Sequence, residues 1–378
     1  MDFEFTEDQL ALRDGARTVL TAACPPTLVR SVFEGEGAGA AADLWQTLAG
    51  LDWPGLGLPE AVGGLGLGYL EVGILVEELG RVVAPTPYLA TVTQLAAVVQ
   101  EAGSTFRLDE VAAGTCTGTL AMAEGGVWRP EATRTTARPV DGGWVLDGLK
   151  SHVLDGATAQ EVAVVARLAG SEGTSGLGVF VVPGEAITAE VVPVIDPTLP
   201  IATIRLDGVA VTGDRVLVEP GDPRAAAVVE RTLEQATTAL SLSTVASCRT
   251  IFETTLQYAK DREQFGRPIG SFQALKHRLA DCYLAVERAA SLAYFAALTI
   301  AEDDDRRAVA ASMAKAAAGA CQRVVVADGL QMHGGVGFTW EHDLHLSLKR
   351  AKSGDLLFGT AATHRARLAQ LLGLEAVA

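Results

Sequence analysis

Long stretches with few helix-breaking residues near the C-terminus constrain the fold of this chain more than any other feature. The first of them, Ala225–Asp261, contains neither glycine nor proline. Three more stretches of similar character follow at Phe272–Glu302, Arg307–Met332 and Leu344–Leu372. Four long helices joined by short turns favour an antiparallel bundle.

The middle of the chain, from Gly114 to about Val218, has a different pattern, in which β-branched runs alternate with turn residues. A diglycine turn directly before Trp144–Leu146 indicates a hairpin, and short apolar runs occur at Val162–Ala166 and Leu177–Val182. Many short strands at close spacing predict a small β-barrel or sandwich.

The first part of the chain has helical periodicity. Thr6 and Gln9 have the spacing of a capping box, and Tyr69–Leu79 places its apolar residues on one face. The sequence therefore predicts an α+β multi-domain fold. Its expected parts are an N-terminal all-α domain (1–113), a middle β-barrel or sandwich domain (114–219) and a C-terminal four-helix bundle (220–378).

The charge balance restricts the possible partners. The chain of 378 residues has 46 acidic and 30 basic side chains, a formal net charge of −16. This excess argues against nucleic-acid and anionic-membrane partners, both of which need a basic face. No run reaches about 18 unbroken apolar residues, and the N-terminus is too acidic for a signal peptide. The five cysteines are scattered singly and are interpreted as reduced thiols. Since thiols stay reduced in the cytosol, we expect a cytoplasmic protein.

Common catalytic motifs are absent: the sequence has no GxSxG, HExxH or phosphate-binding P-loop pattern. His342 and His345 stand three residues apart, a spacing that could suit a metal. No matching set of carboxylates and histidines accompanies them elsewhere, so no metal site is predicted and both are interpreted as surface or interface residues.

Two segments of the last part are unusual for plain helix connections. Arg262, Gln264 and Phe265 lie where one helix ends, and an arginine beside an aromatic ring could hold a phosphate and a heterocycle. Asp328–Phe338 has three glycines within four residues, which allows a backbone close to a ligand. Taken singly, a helix hairpin with a solvated arginine and a helix C-cap would explain them as well.

Together with the domain order, these segments resemble the acyl-CoA dehydrogenase family. The similarity rests on Arg262–Gly266 and Gln331–Thr339, and on Val145–Lys150 and Leu206–Val211 in the β region. It covers essentially the whole chain.

The resemblance implies an FAD enzyme, usually a tetramer, that desaturates acyl-CoA thioesters between Cα and Cβ and passes electrons to an electron-transfer flavoprotein. In that reaction a carboxylate removes the Cα proton and a hydride leaves Cβ for the flavin. By residue match, the positions implied to contact the nucleotide half of FAD, partly across a subunit interface, or to lie near the flavin ring are Arg262, Gln264, Phe265, Phe272, Gln273, Gln331, Gly334, Gly335 and Thr360.

The sequence departs from the family where a base is expected. The usual base position is Phe358, and the alternative position used by some members is Ala236. An arginine that helps to hold CoA in the family is Thr237 here. The residues beside the flavin ring, an aromatic–Ile–hydroxyl trio in the family, are His152–Leu154. Neither phenylalanine nor alanine can move a proton.

Three hypotheses follow. In the first, a displaced carboxylate is the base of a homo-oligomeric enzyme. The candidates are Asp355, which we expect on the same helical face as Phe358 three residues later, and Glu234, two residues before Ala236. In the second, which we favour, this chain is the base-lacking subunit of a heteromeric enzyme. Such assemblies occur in the family in actinobacterial steroid side-chain degradation. In the third, the chain is a flavin-free structural homologue.

Overall fold

Helices dominate both ends of the chain. The computed structural model describes residues 4–374, so residues 1–3 and 375–378 of the first and last predicted domains lie outside it. The α-helices are Glu7–Ala23 (α1), Pro26–Phe33 (α2), Ala38–Ala49 (α3), Tyr69–Arg81 (α4), Tyr88–Ala90 (α5), Ala97–Glu101 (α6), Leu108–Ala112 (α7), Ala225–Asp261 (α8), Gln273–Ala301 (α9), Arg307–His333 (α10), Leu344–Leu356 (α11) and Ala361–Leu371 (α12).

The middle region forms one sheet of eight strands. Its order is β6-β7-β3-β2-β4-β5-β8, and β1 pairs in parallel with β4. A separate two-stranded hairpin is formed by β9 and β10. The strands are Gly118–Ala121 (β1), Thr136–Val140 (β2), Gly143–Leu154 (β3), Glu161–Leu168 (β4), Leu177–Pro183 (β5), Thr188–Val192 (β6), Ile201–Thr212 (β7), Val216–Val218 (β8), Glu263–Gln264 (β9) and Arg267–Pro268 (β10).

This order of elements confirms the predicted fold class: helices, then a β-sheet, then long helices. By internal contacts the chain separates into two compact units. The first combines the residues up to Ala41 with Tyr69–Pro85 and the chain from Thr237 onward. The second consists of Ala42–Gly68 and Thr86–Ala236. The domain boundaries at 113 and 219 stay a prediction.

The core of the first unit is built from small and apolar side chains on α8 to α11, among them Val245, Val286, Cys321 and Ala351, each at most 1% exposed. The helix α9 is long and apolar enough to cross a membrane, but 44% of its most apolar window is buried in the protein. A core helix of a soluble protein has the same properties, so this one helix is weak evidence for a span.

Within the second unit, β3 carries the irregularity that matters for the site. It pairs with β2 through the predicted hairpin and with β7 along most of its length. The register with β7 shifts between Lys150 and Val153, and His152 in that bulge has a φ of +55°. Such bulges re-aim side chains near functional sites.

The prediction of one continuous helix over Leu344–Leu372 is wrong. The helix α11 ends at Leu356, and Phe358 and Gly359 have φ values of +57° and +97°. Left-handed backbone cannot continue an α-helix. The next helix, α12, starts afresh with Thr360 as its N-cap, whose Oγ1 accepts a hydrogen bond from the amide of Thr363.

Candidate functional site

The hairpin after α8 presents an aromatic ring to solvent. Phe265 lies in the two-residue turn between β9 and β10, at a φ of +55°, and is 91% exposed. Its ring meets the ring of Phe272 edge-on, with centroids 6.1 Å apart. A large exposed ring held in this way is a surface for stacking a planar ligand or packing against a partner.

Two arginines flank this turn. The exposed Arg262 directly precedes β9, and its guanidinium has no ion-pair partner among residues 4–374. Arg267 lies in β10 with its guanidinium carbon 4.2 Å from the ring centroid of Phe272. The hairpin therefore combines positive charge with aromatic surface, the combination that suits a nucleotide diphosphate. Arg267 is not among the site residues predicted from the sequence, although its position directly after the turn could have indicated it.

The glycine-rich segment lies at the end of α10. Gly334 has a φ of +61°, and a Cβ at Gly334 or Gly335 would find no atom within 4 Å. The backbone there is open to a ligand. Gln331, one turn earlier, shares a cavity of about 530 Å³ with Leu275 and Arg278 near the start of α9. The structure thus places Gln331 beside the helix that begins at Gln273.

A buried histidine orders this helix end. The ring of His333 stacks on Tyr258 with centroids 4.4 Å apart, and its Nδ1 lies 2.8 Å from the carbonyl oxygen of Gly329. Burial lowers the pKa of His333, so the imidazole is neutral and Nδ1–H donates to that carbonyl. Its Nε2 is buried without a hydrogen-bond partner in the described part of the chain.

The usual base position is closed as well as apolar. Phe358 is 9% exposed and sits in the left-handed turn between α11 and α12. Its carbonyl oxygen lies 2.9 Å from Nε2 of His364. Thr360, the position implied to lie near the flavin, uses its hydroxyl to cap α12. No proton acceptor is supplied by the side chain at position 358.

Asp355 lies near the end of α11, which stops at Leu356. Asp355 and Phe358 are therefore not on the same helix, and the prediction that they share a helical face is wrong. Its Oδ1 accepts a hydrogen bond from the amide of Ala361 at 3.1 Å, and its Oδ2 accepts one from Nε2 of Gln322 at 3.2 Å. A Cβ on Gly319 would lie 2.1 Å from Oδ1, so the glycine makes room for the carboxylate. These contacts explain Asp355 as a capping residue.

The alternative base position offers no acid either. Ala236 is 1% exposed and Glu234 is 8% exposed, both on α8. Residues two apart on a helix do not face the same side. The carboxylate of Glu234 therefore cannot take the place of a side chain at position 236.

On the β-sheet, the trio His152–Leu154 supplies little for a flavin ring. Leu154 is buried and apolar, so it donates no hydrogen bond. His152 is exposed, with its ring 5.5 Å from that of Trp128. Nearby, the buried Lys150 pairs with Glu124 at 2.7 Å. Burial lowers the pKa of Lys150 to about 8, although the carboxylate opposes that shift.

Comparison with known proteins agrees with this geometry. Residues 6–119 match the family model for the N-terminal domain of acyl-CoA dehydrogenases, and residues 226–373 match the model for the C-terminal domain. The chain is 28% identical to the acyl-CoA dehydrogenase IpdE2 of Mycobacterium tuberculosis over 347 residues, 91% of each chain.

Solved structures extend the similarity to the whole fold. A variant of the Tcur3481-Tcur3483 steroid ACAD is 30% identical, with a TM-score of 0.84, covering 97% of this chain and 98% of the other. The ChsE4-ChsE5 complex of Mycobacterium tuberculosis is 25% identical, with a TM-score of 0.85 and full coverage of both chains. The chain belongs to the acyl-CoA dehydrogenase family.

The cofactor of this family is FAD. The residues present fit the nucleotide half of FAD better than its flavin ring. Free guanidinium charge at Arg262, the exposed ring of Phe265 and the open backbone at Gly334 fit the diphosphate and adenine. Phe358 and Leu154 provide no polar group for the ring half or for proton removal. The residue assignments for FAD stay predictions.

Replacing Arg262 by alanine should weaken FAD binding about 10- to 100-fold, since hydrogen bonds to charged groups contribute about 1.5–3 kcal/mol. A titration of the FAD-binding assembly that follows flavin fluorescence measures the affinity. Arg323→Ala, at an exposed arginine of α10, is the matched control and should leave the affinity unchanged. Equal flavin content in both variants would show that Arg262 has no part in the site.

Proposed function

We propose that this chain is the base-lacking subunit of a heteromeric acyl-CoA dehydrogenase. It completes the nucleotide half of the FAD site, and a second family member supplies the catalytic base. The observation that carries the proposal is Phe358, a buried aromatic residue in a left-handed turn at the usual base position.

The nearby carboxylates support this division of labour. Asp355 is engaged by the amide of Ala361 and by Gln322, and Glu234 is buried on a helix face away from Ala236. A general base must be free to reach a substrate proton. Neither carboxylate meets that condition.

The chain's own groups bind and orient. When bound, FAD accepts the hydride in the family reaction. In this chain the guanidinium of Arg262 balances diphosphate charge, Phe265 offers its face to the adenine, and the open backbone at Gly334 admits phosphate oxygens. Thr237 lacks the charge that would hold the anionic CoA, so the partner chain holds most of the thioester.

Two of the similar structures favour a heteromeric assembly and a class of substrate. One is the ChsE4-ChsE5 complex and the other is the Tcur3481-Tcur3483 steroid ACAD. Each structure is thus named after two different proteins. By this likeness we assign to the complex a CoA thioester whose acyl part is steroid-derived. The assembly is expected to be a tetramer in the cytoplasm that passes electrons to an electron-transfer flavoprotein.

Co-expression tests the proposal. The chain expressed alone should hold little FAD and desaturate no acyl-CoA, because the complete site needs a second chain. Co-expressed with a base-bearing family member encoded beside it, it should give a yellow complex with turnover. Full activity of the lone homo-oligomer would exclude the proposal in favour of a displaced base. A colourless complex without turnover would favour the flavin-free homologue.

A further inference from the structure

The turn between α11 and α12 is held by buried polar side chains that no catalytic step uses. Lys315, on α10, is completely buried. Its Nζ donates hydrogen bonds to the carbonyl oxygens of Gly354, at 2.6 Å, and Asp355, at 3.0 Å. His364, on α12 and 7% exposed, places its Nε2 2.9 Å from the carbonyl oxygen of Phe358. Two carbonyl groups at the end of α11 and one in the turn that follows it are therefore held by side chains from two other helices.

The conformation they fix is a strained one. Phe358 has a φ of +57°, in a region that bulky residues rarely adopt. Such a backbone persists only where its surroundings enforce it. Strain of this kind clusters at functional sites.

Both side chains are themselves expensive to bury. Burial lowers the pKa of Lys315 to about 7, only partly opposed by Asp355. Burial likewise lowers the pKa of His364 to about 4, so the imidazole is neutral and Nε2–H is the donor to Phe358. Its Nδ1 then lacks a hydrogen-bond partner among the described residues. Replacing buried charged groups by apolar side chains of similar volume is often neutral or stabilising, so we look for their role in the backbone that they hold.

We propose that Lys315 and His364 are positioning residues that hold the end of α11 and the turn Leu357–Thr360 in the conformation that borders the FAD site. The inference rests on the proposed function in one respect, that this chain forms part of an FAD site; the family resemblance implies that Thr360 lies near it. It adds that this chain contributes a rigid backbone turn where other members place a base. The two side chains act through that turn and touch no reacting atom.

Paired variants of His364 test this role. His364→Leu removes the donor, whereas His364→Gln keeps an N–H at a similar reach. Amide hydrogen exchange of the peptide spanning 354–364 is measured on the isolated chain, and FAD affinity on the FAD-binding assembly. His364→Leu should speed exchange in this peptide and weaken FAD binding, each at least tenfold, and His364→Gln should recover most of both.

Lys315→Met should act like His364→Leu, and it replaces that variant if His364→Leu fails to fold. Lys352→Met, at an exposed lysine of α11, is the control and should change neither quantity. Faster exchange without weaker FAD binding, or a glutamine variant no better than leucine, overturns the inference. A homo-oligomer that is fully active yet loses FAD in these variants refutes the proposed function and leaves the positioning role standing.

Discussion

In a complex of this chain with a base-bearing partner, neutralising the partner's base should lower kcat about a thousandfold, while Asp355→Asn here should change kcat less than about threefold. Positioned general bases contribute about 10²–10⁴-fold to rate. The carboxylate of Asp355 is engaged by Ala361 and Gln322, so removing its charge removes no proton acceptor from the reaction.

Asparagine is a fair replacement at this position because the local hydrogen bonds can be kept. Its Oδ1 can still accept from the amide of Ala361. Its NH₂ group needs an acceptor, and Oε1 of Gln322 is buried without a partner within the described range of residues. A flip of the Gln322 amide places that oxygen where its nitrogen now donates. Asp355→Asn therefore tests charge with little change in packing.

Steady-state kcat of purified complexes, normalised to flavin content, measures the difference. Glu234→Gln is the companion variant and should also stay within about threefold, because Glu234 faces away from Ala236. A loss of a hundredfold or more in Asp355→Asn, with normal flavin content, would identify Asp355 as a displaced base. The chain would then be a catalytic subunit in its own right.

Local patterns were sufficient for much of the fold. The absence of breakers over Ala225–Asp261 predicted a helix with the bounds that α8 has, and the capping box of Thr6 and Gln9 is present in both its hydrogen bonds. Helices and hairpins depend mainly on neighbours in sequence, so periodicity and turn residues report them well.

The α11–α12 junction could not be predicted in this way. Phe358 in a left-handed conformation contradicts its local preference; His364 on α12 contacts its carbonyl oxygen, and Lys315 on α10 holds the end of α11 before it. A conformation imposed by tertiary contacts leaves no periodic signal in the sequence. For the same reason Asp355 looked available as a base, although the structure engages it as a cap.

The helix crossing at Gly80 carries the second large effect that we expect. A Cβ at Gly80, on α4, would lie 2.6 Å from Cα and 2.7 Å from the carbonyl oxygen of Ser243 on α8. These are backbone atoms, which cannot rotate aside. The crossing is also tied by Ser247, whose Oγ donates to the carbonyl oxygen of Gly80 at 2.9 Å.

Gly80→Ala should therefore destabilise the protein by about 1–3 kcal/mol or more, the usual range for overpacking a core. The same substitution at Gly15 should have the opposite sign. Gly15 is exposed within α1, and a Cβ there meets no atom within 4 Å, so alanine gains up to about 1 kcal/mol in helix propensity.

Thermal and urea unfolding of the two variants measures the sign of both changes in stability. A gain in stability for Gly80→Ala would mean that α4 and α8 do not approach this closely. If only Gly80→Ala loses stability, the distance between the backbones of α4 and α8 determines this crossing. No local pattern in the sequence reveals that distance.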